Sequence, residues 1–371
     1  MADPQTTSTA AASGPTSIDP DKLGLFSFLL FSKLEGAVTA GMVHLGDRLG
    51  LYAALGAAGT PLSSQQLAES TGLHERWVRE WAYNQAAARL IVADQDERFS
   101  LTPEATAVLA DPQHPSYGMG MFHRLPQTMR TLDDMPESFR TGLGHDYDSH
   151  GCEGAIGIER SFEPWSNANL LPVVLPALEG VVDRLRDGAR VIDVGCGAGG
   201  ALLRMAAAFP QSTFTGYDIS AFALERAGVK LAESGVRNAS FADPRSSPMP
   251  ADNSVDLITT FDCIHDMTQP QQMMDSLRAA IAPDGTWLLV DIKAHDSFAD
   301  NALKNPMASL MYGISVLSCM SSAMSAPDGA GLGTLGLSEN RARAMSAAAG
   351  FTRFRRLSID NPTNAFYEVR P

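Results

Sequence analysis

Residues 191–200 read VIDVGCGAGG, and this stretch decides the fold of the chain. The run 191–194 is typical of a buried strand, and glycines follow it directly at Gly195, Gly197 and Gly199. Glycine allows the backbone to take positive φ and to approach a ligand closely. We therefore expect a strand, a tight turn and a helix, with a ligand at the carboxyl end of the strand.

The order of residues in this turn bears on the kind of ligand. It reads D-x-G-x-G-x-G-G, which differs from the G-x-G-x-x-G pattern of pyrophosphate binders. The carboxylate of Asp193 would be repelled by a pyrophosphate, but it suits an ammonium or a sulfonium group. The alternative is a glycine turn that only packs a helix against a sheet.

Strands and helices alternate after residue 188, which indicates a parallel sheet with helices on both faces. We expect a doubly wound α/β, Rossmann-like sheet of seven strands, the last two antiparallel. A turn at Asp284-Gly285 should precede the fifth strand. The predicted strands are 189–194, 212–217, 238–242, 255–261, 286–292, 352–358 and 365–370.

The N-terminal third shows the rhythm of a winged helix. Short helical patterns at 65–70 and 74–90 are followed by two apolar runs around residues 93–98, which predicts a hairpin wing. The helix from Leu25 to Leu34 is so apolar that either a partner subunit or its own domain must cover it.

These patterns divide the chain into four parts. A linker helix should run without a break from Phe162 to Leu185 and bend at Pro172 and Pro176. The predicted parts are a disordered tail (1–21), a winged-helix-like dimerisation domain (22–115), a helical linker over the active site (116–185) and a ligand-binding domain (186–371) whose insertion 293–337 forms a lid.

Composition limits the possible partners and compartments. The 371 residues carry a net charge of −14, which disfavours nucleic acid as a partner. No apolar run reaches the roughly 18–20 residues of a membrane span, and the first 21 residues lack the features of a secretory signal. None of the four cysteines forms a C-x-x-C pair, so we expect no zinc site and a cytoplasmic protein.

From about residue 160 onward, the sequence resembles the class I S-adenosylmethionine-dependent methyltransferases. Their acidic residue after the second strand binds the ribose hydroxyls, and the next apolar residue packs on adenine; Asp218 and Ile219 match these positions. Asp243, after the third strand, matches a residue that contacts the adenine amino group. The resemblance implies that S-adenosylmethionine is bound by Asp193, Gly195, Cys196, Gly197, Asp218, Ile219, Asp243, Phe261 and Asp262.

The segment around His265 is similar to the corresponding part of plant-type small-molecule O-methyltransferases, which place a base histidine followed by an aspartate here. The resemblance implies a general base at His265 and an orienting acid at Asp291. The second acid of that family would fall near 335–337, where no acid stands. His265 could instead brace the strand exit. A further similarity, along nearly the whole chain, is to bacterial winged-helix methyltransferases of mostly unknown substrate.

We therefore expect methyl transfer to the oxygen or sulfur of a small molecule by a homodimer. Three alternatives stay open: carbon methylation, a DNA-binding regulator with an S-adenosylmethionine-sensing domain, and a scaffold without catalysis. Residues 41–110 hold five arginines, no lysine and eight acidic residues, a net charge of −3 that argues against DNA binding. We expect no metal site, although a cluster within 145–150 is a candidate: His145, Asp146, Asp148 and His150.

Overall fold

The computed structural model describes residues 17–371, so most of the predicted tail lies outside the described residues. Asp19 caps the first helix by accepting the backbone N–H groups of Asp21 and Lys22, and Pro20 occupies its first position. The N-terminal elements are α1 (Pro20–Arg48), α2 (Leu51–Ala58), β1 (Leu62–Ser63), α3 (Ser64–Thr71), α4 (Glu75–Ala87), β2 (Val92–Ala93), β3 (Arg98–Ser100) and α5 (Pro103–Ala105).

These elements form the predicted winged helix. β2 and β3 pair as an antiparallel hairpin, and β1 adds a third strand. Tyr52, Leu67 and Phe99 are buried in its core, and Trp81 donates its indole N–H to the Met42 carbonyl at 2.9 Å. The wing and the second half of α1 are thus held by one apolar core.

The linker differs from the prediction. The continuous helix expected over Phe162–Leu185 is wrong, because one helix begins earlier and a break at 178–180 precedes a second. Proline lacks the N–H that an α-helix needs, so the turns at 170–177 depart from α geometry, and Gly180 then adopts a φ of +71°. The helices of this region are α6 (Met119–His123), α7 (Leu125–Arg130), α8 (Met135–Thr141), α9 (Gly151–Asn169) and α10 (Val181–Asp187).

The C-terminal sheet confirms the predicted fold class. Its seven strands lie in the order β6-β5-β4-β7-β8-β10-β9, with β10 antiparallel to both neighbours. The fifth strand begins at Ile281, so the predicted turn at Asp284-Gly285 is an irregularity within the strand. The strands are β4 (Arg190–Val194), β5 (Thr213–Tyr217), β6 (Ala239–Ala242), β7 (Val255–Phe261), β8 (Ile281–Ile292), β9 (Arg353–Arg356) and β10 (Asn364–Arg370).

Two apolar clusters cover the two faces of this sheet, as a doubly wound fold requires. Trp287, at the centre of one of them, is fully buried and donates its indole N–H to Thr260 at 3.0 Å. The remaining helices are α11 (Gly200–Ala208), α12 (Ala221–Ser234), α13 (Pro270–Ala280), α14 (Phe298–Lys304), α15 (Ala308–Leu317), α16 (Cys319–Ala323) and α17 (Glu339–Ala348).

The first half of α1 remains uncovered within the chain. The side chains of Leu25, Phe28 and Phe31 are 71%, 75% and 66% exposed. Helix α1 is also long and apolar enough to cross a membrane on length and composition alone, with a mean hydropathy of 1.4. The expectation that no segment reaches this length and composition is therefore wrong.

Candidate active site

The glycine turn between β4 and α11 forms as predicted. Gly195, Gly197 and Gly199 have φ angles of +69°, +53° and +74°, which favour glycine. The backbone N–H groups of Gly195 and Cys196 donate to the Tyr217 carbonyl, which joins the turn to the end of β5. A Cβ atom on Gly199 would lie 2.3 Å from the ring of Phe241, so this position has no room for a side chain.

Asp193 lies at the centre of the sheet beneath the turn. Its carboxylate is 1% exposed and accepts a hydrogen bond of 2.7 Å from the Thr259 hydroxyl. Burial raises the pKa of Asp193 to about 7, although the Thr259 bond works against this. A cationic ligand at the turn would favour the charged carboxylate, so this environment fits an ammonium or a sulfonium group.

Asp218 joins the ends of β5 and β4. One carboxylate oxygen accepts the Gly197 N–H and the other the Ser220 N–H, both at 2.8 Å. Burial raises the pKa of Asp218, while these backbone hydrogen bonds oppose the shift. Each oxygen keeps a second lone pair, so the carboxylate can also accept ribose hydroxyls. The next side chain, Ile219, is 48% exposed and presents an apolar surface for an adenine ring.

Asp243 already forms hydrogen bonds within the protein that the sequence did not predict. The Arg245 guanidinium forms hydrogen bonds with both of its carboxylate oxygens, and a second contact of 2.7 Å joins Arg245 to the Ile219 carbonyl. Arg245, through these hydrogen bonds, lowers the pKa of Asp243. The sequence analysis did not identify Arg245 as a site residue, although its position two residues after Asp243 indicated that the two side chains could pair.

His265 and Asp291 are brought together as predicted. His265 follows β7 in a short 3-10 turn, and its Nδ1 lies 2.6 Å from the Asp291 Oδ1 on β8. Both side chains are buried. Burial lowers the pKa of His265, but the Asp291 carboxylate and the Cys319 thiol outweigh it and hold the pKa well above its usual range. Asp291 thus binds Nδ1 and fixes the orientation of the ring.

The residues between β7 and His265 join neighbouring parts of the sheet. Asp262 has a φ of +48° and accepts a hydrogen bond from the Asn364 amide of β10. Burial, with the nearby Asp291 carboxylate, raises the pKa of Asp262 to about 7. The preceding Phe261 packs against one of the apolar clusters of the sheet. No described contact links these two residues to the glycine turn, so their predicted part in cofactor binding stays a prediction.

Two segments outside the sheet close this site, and sequence reasoning missed both. Cys319, at the start of α16, contacts His265. Tyr147 is close enough to Asp266 and Asp218 for both carboxylates to add to the effect of burial in raising its pKa. These contacts join residues 54 to 119 positions apart, and no local sequence pattern predicts them.

The candidate metal cluster is separated in the structure. His150 is buried and bonds to the Ser318 hydroxyl at 3.1 Å, whereas His145 faces Ser321 and Asp148 accepts the N–H of Ala221. Over residues 17–371, no group of three metal-ligating side chains is positioned to hold an ion.

Comparison with known proteins extends these observations. Residues 185–348 match the family described as methyltransferase domain, and residues 37–111 match the Rv2258c-like winged HTH domain. No curated protein matches the chain.

Several solved structures share the fold over nearly the whole chain. The mitomycin 7-O-methyltransferase MmcR has a TM-score of 0.65 at 18% identity, covering 95% of this chain and 99% of its own. Human N-acetylserotonin methyltransferase, in complex with S-adenosylmethionine, has a TM-score of 0.65 at 14% identity, with 96% and 99% covered. A methyltransferase of calicheamicin biosynthesis, in its S-adenosylhomocysteine-bound form, has a TM-score of 0.63 at 18% identity, with 96% and 100% covered.

Proposed function

We propose that this S-adenosylmethionine-dependent methyltransferase with an N-terminal winged-helix domain methylates an oxygen of a small-molecule acceptor, with His265 as general base. The buried His265–Asp291 pair carries this proposal. His265 follows β7, which is the immediate neighbour of β4 and its glycine turn, and Asp291 lies on β8 beside it. A base in that place can reach an acceptor aligned with the bound methyl donor.

The residues of the site divide the reaction between them. Bound S-adenosylmethionine supplies a methyl group on a positively charged sulfur, and Asp193, Asp218 and the glycine turn would hold it. The acceptor oxygen forms a bond to the methyl carbon while the carbon–sulfur bond breaks and its electron pair stays on sulfur. The hydroxyl proton passes to Nε2 of His265, and Asp291 stabilises the resulting imidazolium. The products are the methyl ether and S-adenosylhomocysteine.

Oxygen is favoured over sulfur by the same pair. A thiol acceptor needs little help from a base and a thioether acceptor needs none. A buried histidine held by a carboxylate would therefore not be required for methyl transfer to sulfur. The names of two similar structures, a 7-O-methyltransferase and an N-acetylserotonin methyltransferase, also point to small acceptors.

Matched phenol and thiophenol acceptors test this preference. We expect wild-type protein to methylate the phenols, and His265→Ala to lose that activity while any thiophenol methylation continues. Release of S-adenosylhomocysteine, measured by liquid chromatography, reports both reactions. Equal losses on phenol and thiophenol would contradict the role of His265 as a base for oxygen.

We also propose that the first half of α1 is covered by a second copy of the chain. Its apolar side chains surround the helix, which is typical of a helix packed on all sides. Lys33 and Glu35 stand near its middle, where a membrane would impose about 2.5–3.5 kcal/mol on a charged lysine. A second copy leaves these charges at the rim of an interface, so a homodimer fits better than a membrane span.

The double variant Leu25→Glu/Phe28→Glu should convert a dimer into a monomer, because it places charges on the proposed interface. Light scattering coupled to size exclusion measures the change, with Val229→Glu on exposed α12 as the control. Monomeric wild-type protein, or flotation of wild-type protein with lipid vesicles, would contradict the proposal.

The winged helix serves the dimer and the site, and we propose no role in DNA binding. Its wing carries Asp94, Asp96 and Glu97, which would repel phosphates. No retardation of duplex DNA is expected at physiological salt, and sequence-specific binding would contradict this.

The four free cysteines suit a reducing cytoplasm.

We further propose that segment 293–337, which includes α16, acts as a lid with the linker 116–185.

A further inference from the structure

Arg124 is a buried cation whose neighbours do not neutralise it. Its side chain is 3% exposed. Its guanidinium donates to two hydroxyl groups, those of Thr128 at 3.3 Å and Ser318 at 3.1 Å. Within residues 17–371, no carboxylate oxygen lies within 4.0 Å of it. Arg160, by contrast, meets both oxygens of Asp47 at 2.7 Å. A buried charge without a counter-charge is costly, so its presence indicates a ligand that completes it.

The backbone around Arg124 is fixed in place. A Cβ atom on Gly157 of α9 would lie 2.7 Å from the Arg124 Cβ, so the root of the side chain packs directly on that helix. One turn earlier, a Cβ on Gly120 would lie 2.2 Å from the Ser161 hydroxyl oxygen. This close crossing of α6 and α9 leaves the arginine little freedom to turn toward solvent.

The surroundings of Arg124 lead directly to the proposed base. Ser318, its hydrogen-bond partner, also contacts His150 at 3.1 Å, and the next residue, Cys319, contacts His265. Burial, with the nearby Arg124, lowers the pKa of His150 to about 4, so this histidine is neutral near pH 7. A buried positive charge without an ion-pair partner therefore lies close to the proposed base.

We propose that Arg124 binds a carboxylate of the acceptor, so that the substrate is a small hydroxylated acid. This inference rests on the proposed function, because it places the acceptor hydroxyl at His265. The guanidinium fork matches a carboxylate in two parallel hydrogen bonds, and the surrounding hydroxyls and neutral His150 add polar contacts. Segments 144–150 and 318–324 must separate to admit such a ligand.

Binding of salicylate, a hydroxylated carboxylate, tests this on the full chain saturated with S-adenosylhomocysteine. We expect wild-type protein to bind salicylate more tightly than its neutral amide, salicylamide. Arg124→Met should weaken salicylate about 10- to 100-fold and abolish that preference, because a charged hydrogen-bond pair is lost. Arg130→Met, which removes an exposed arginine of α7, is the matched control.

Three results would overturn the inference. One is the absence of a preference for salicylate over salicylamide in the wild type, and the second is equal salicylate binding by Arg124→Met. The third concerns the carboxylate of the methionine part of S-adenosylmethionine, which Arg124 could bind instead. In that case wild type would bind S-adenosylmethionine more tightly than its decarboxylated form, and Arg124→Met would lose this preference. The unfolding temperature of Arg124→Met should equal or exceed that of ligand-free wild type. If Arg124 had only a structural role, the variant would unfold at a lower temperature than wild type. Loss of phenol methylation in His265→Ala tests the proposed function separately.

Discussion

Replacing His265 by alanine should lower turnover on a hydroxyl acceptor by about 100-fold or more, because a general base contributes roughly 10²–10⁴. Cofactor binding should remain nearly unchanged, since His265 lies beyond β7 and makes no described contact with the glycine turn. Asp291→Asn should have a smaller effect, because it leaves the base in place and removes the carboxylate that orients the ring and stabilises the imidazolium. Turnover at saturating acceptor and calorimetric affinity for S-adenosylhomocysteine separate the two effects.

The pH profile gives a second readout of the same pair. The Asp291 carboxylate and the Cys319 thiol, against the effect of burial, hold the pKa of His265 well above its usual range. A base must be deprotonated to act, so activity should rise with pH above the ordinary titration range of histidine. Asp291→Asn removes the negative charge that raises the pKa of His265, so the rise in activity should shift to lower pH.

A histidine that only braces the strand exit would give a different outcome. His265→Ala would then lose stability, and its remaining folded protein would keep full turnover on a phenol. A profile that does not respond to Asp291→Asn would likewise contradict the role of the pair.

Asp218→Ala should weaken S-adenosylmethionine binding by about 5- to 150-fold, which corresponds to roughly 1–3 kcal/mol for unmade hydrogen bonds. Two losses act together. The ribose hydroxyls lose their proposed acceptor, and the N–H groups of Gly197 and Ser220 lose the carboxylate that joins them. The glycine turn is therefore less ordered before the ligand arrives.

Calorimetry with Asp252→Ala as the control checks this expectation, because Asp252 is exposed and pairs with Arg190 on the opposite edge of the sheet. Asp218→Asn keeps one accepting oxygen and should fall between wild type and Asp218→Ala. Unchanged affinity in Asp218→Ala would remove the ribose assignment while leaving the glycine turn as the binding element.

Local patterns predicted the parts of the molecule whose cause is local. The seven strands and the glycine turn follow from apolar runs and glycine positions, whereas the pairing of His265 with Asp291 was implied by the resemblance to small-molecule O-methyltransferases. The wing was predicted in the same way. In each case the decisive residues lie within a few positions of one another or at the same edge of the sheet.

The contacts that close the site have no such local cause. Arg124 reaches Ser318 across 194 positions, and Cys319 reaches His265 because α16 packs against the 3-10 turn that follows β7. The predicted linker helix is too long, because its prolines do more than bend it and Gly180 completes a break. The apolar face of α1 was recognised, but its exposure within one chain became visible only in the structure.

The most direct test of the account is a methyl-transfer assay with a panel of small hydroxylated aromatic acids, read by mass spectrometry of the acceptor and by release of S-adenosylhomocysteine. The account predicts that wild-type protein forms a methylated acceptor and S-adenosylhomocysteine in equal amounts, and that His265→Ala binds the cofactor but forms both products at a rate lower by about 100-fold or more. Methylation of DNA or protein in place of small molecules, or an unimpaired His265→Ala variant on a hydroxyl acceptor, would contradict it.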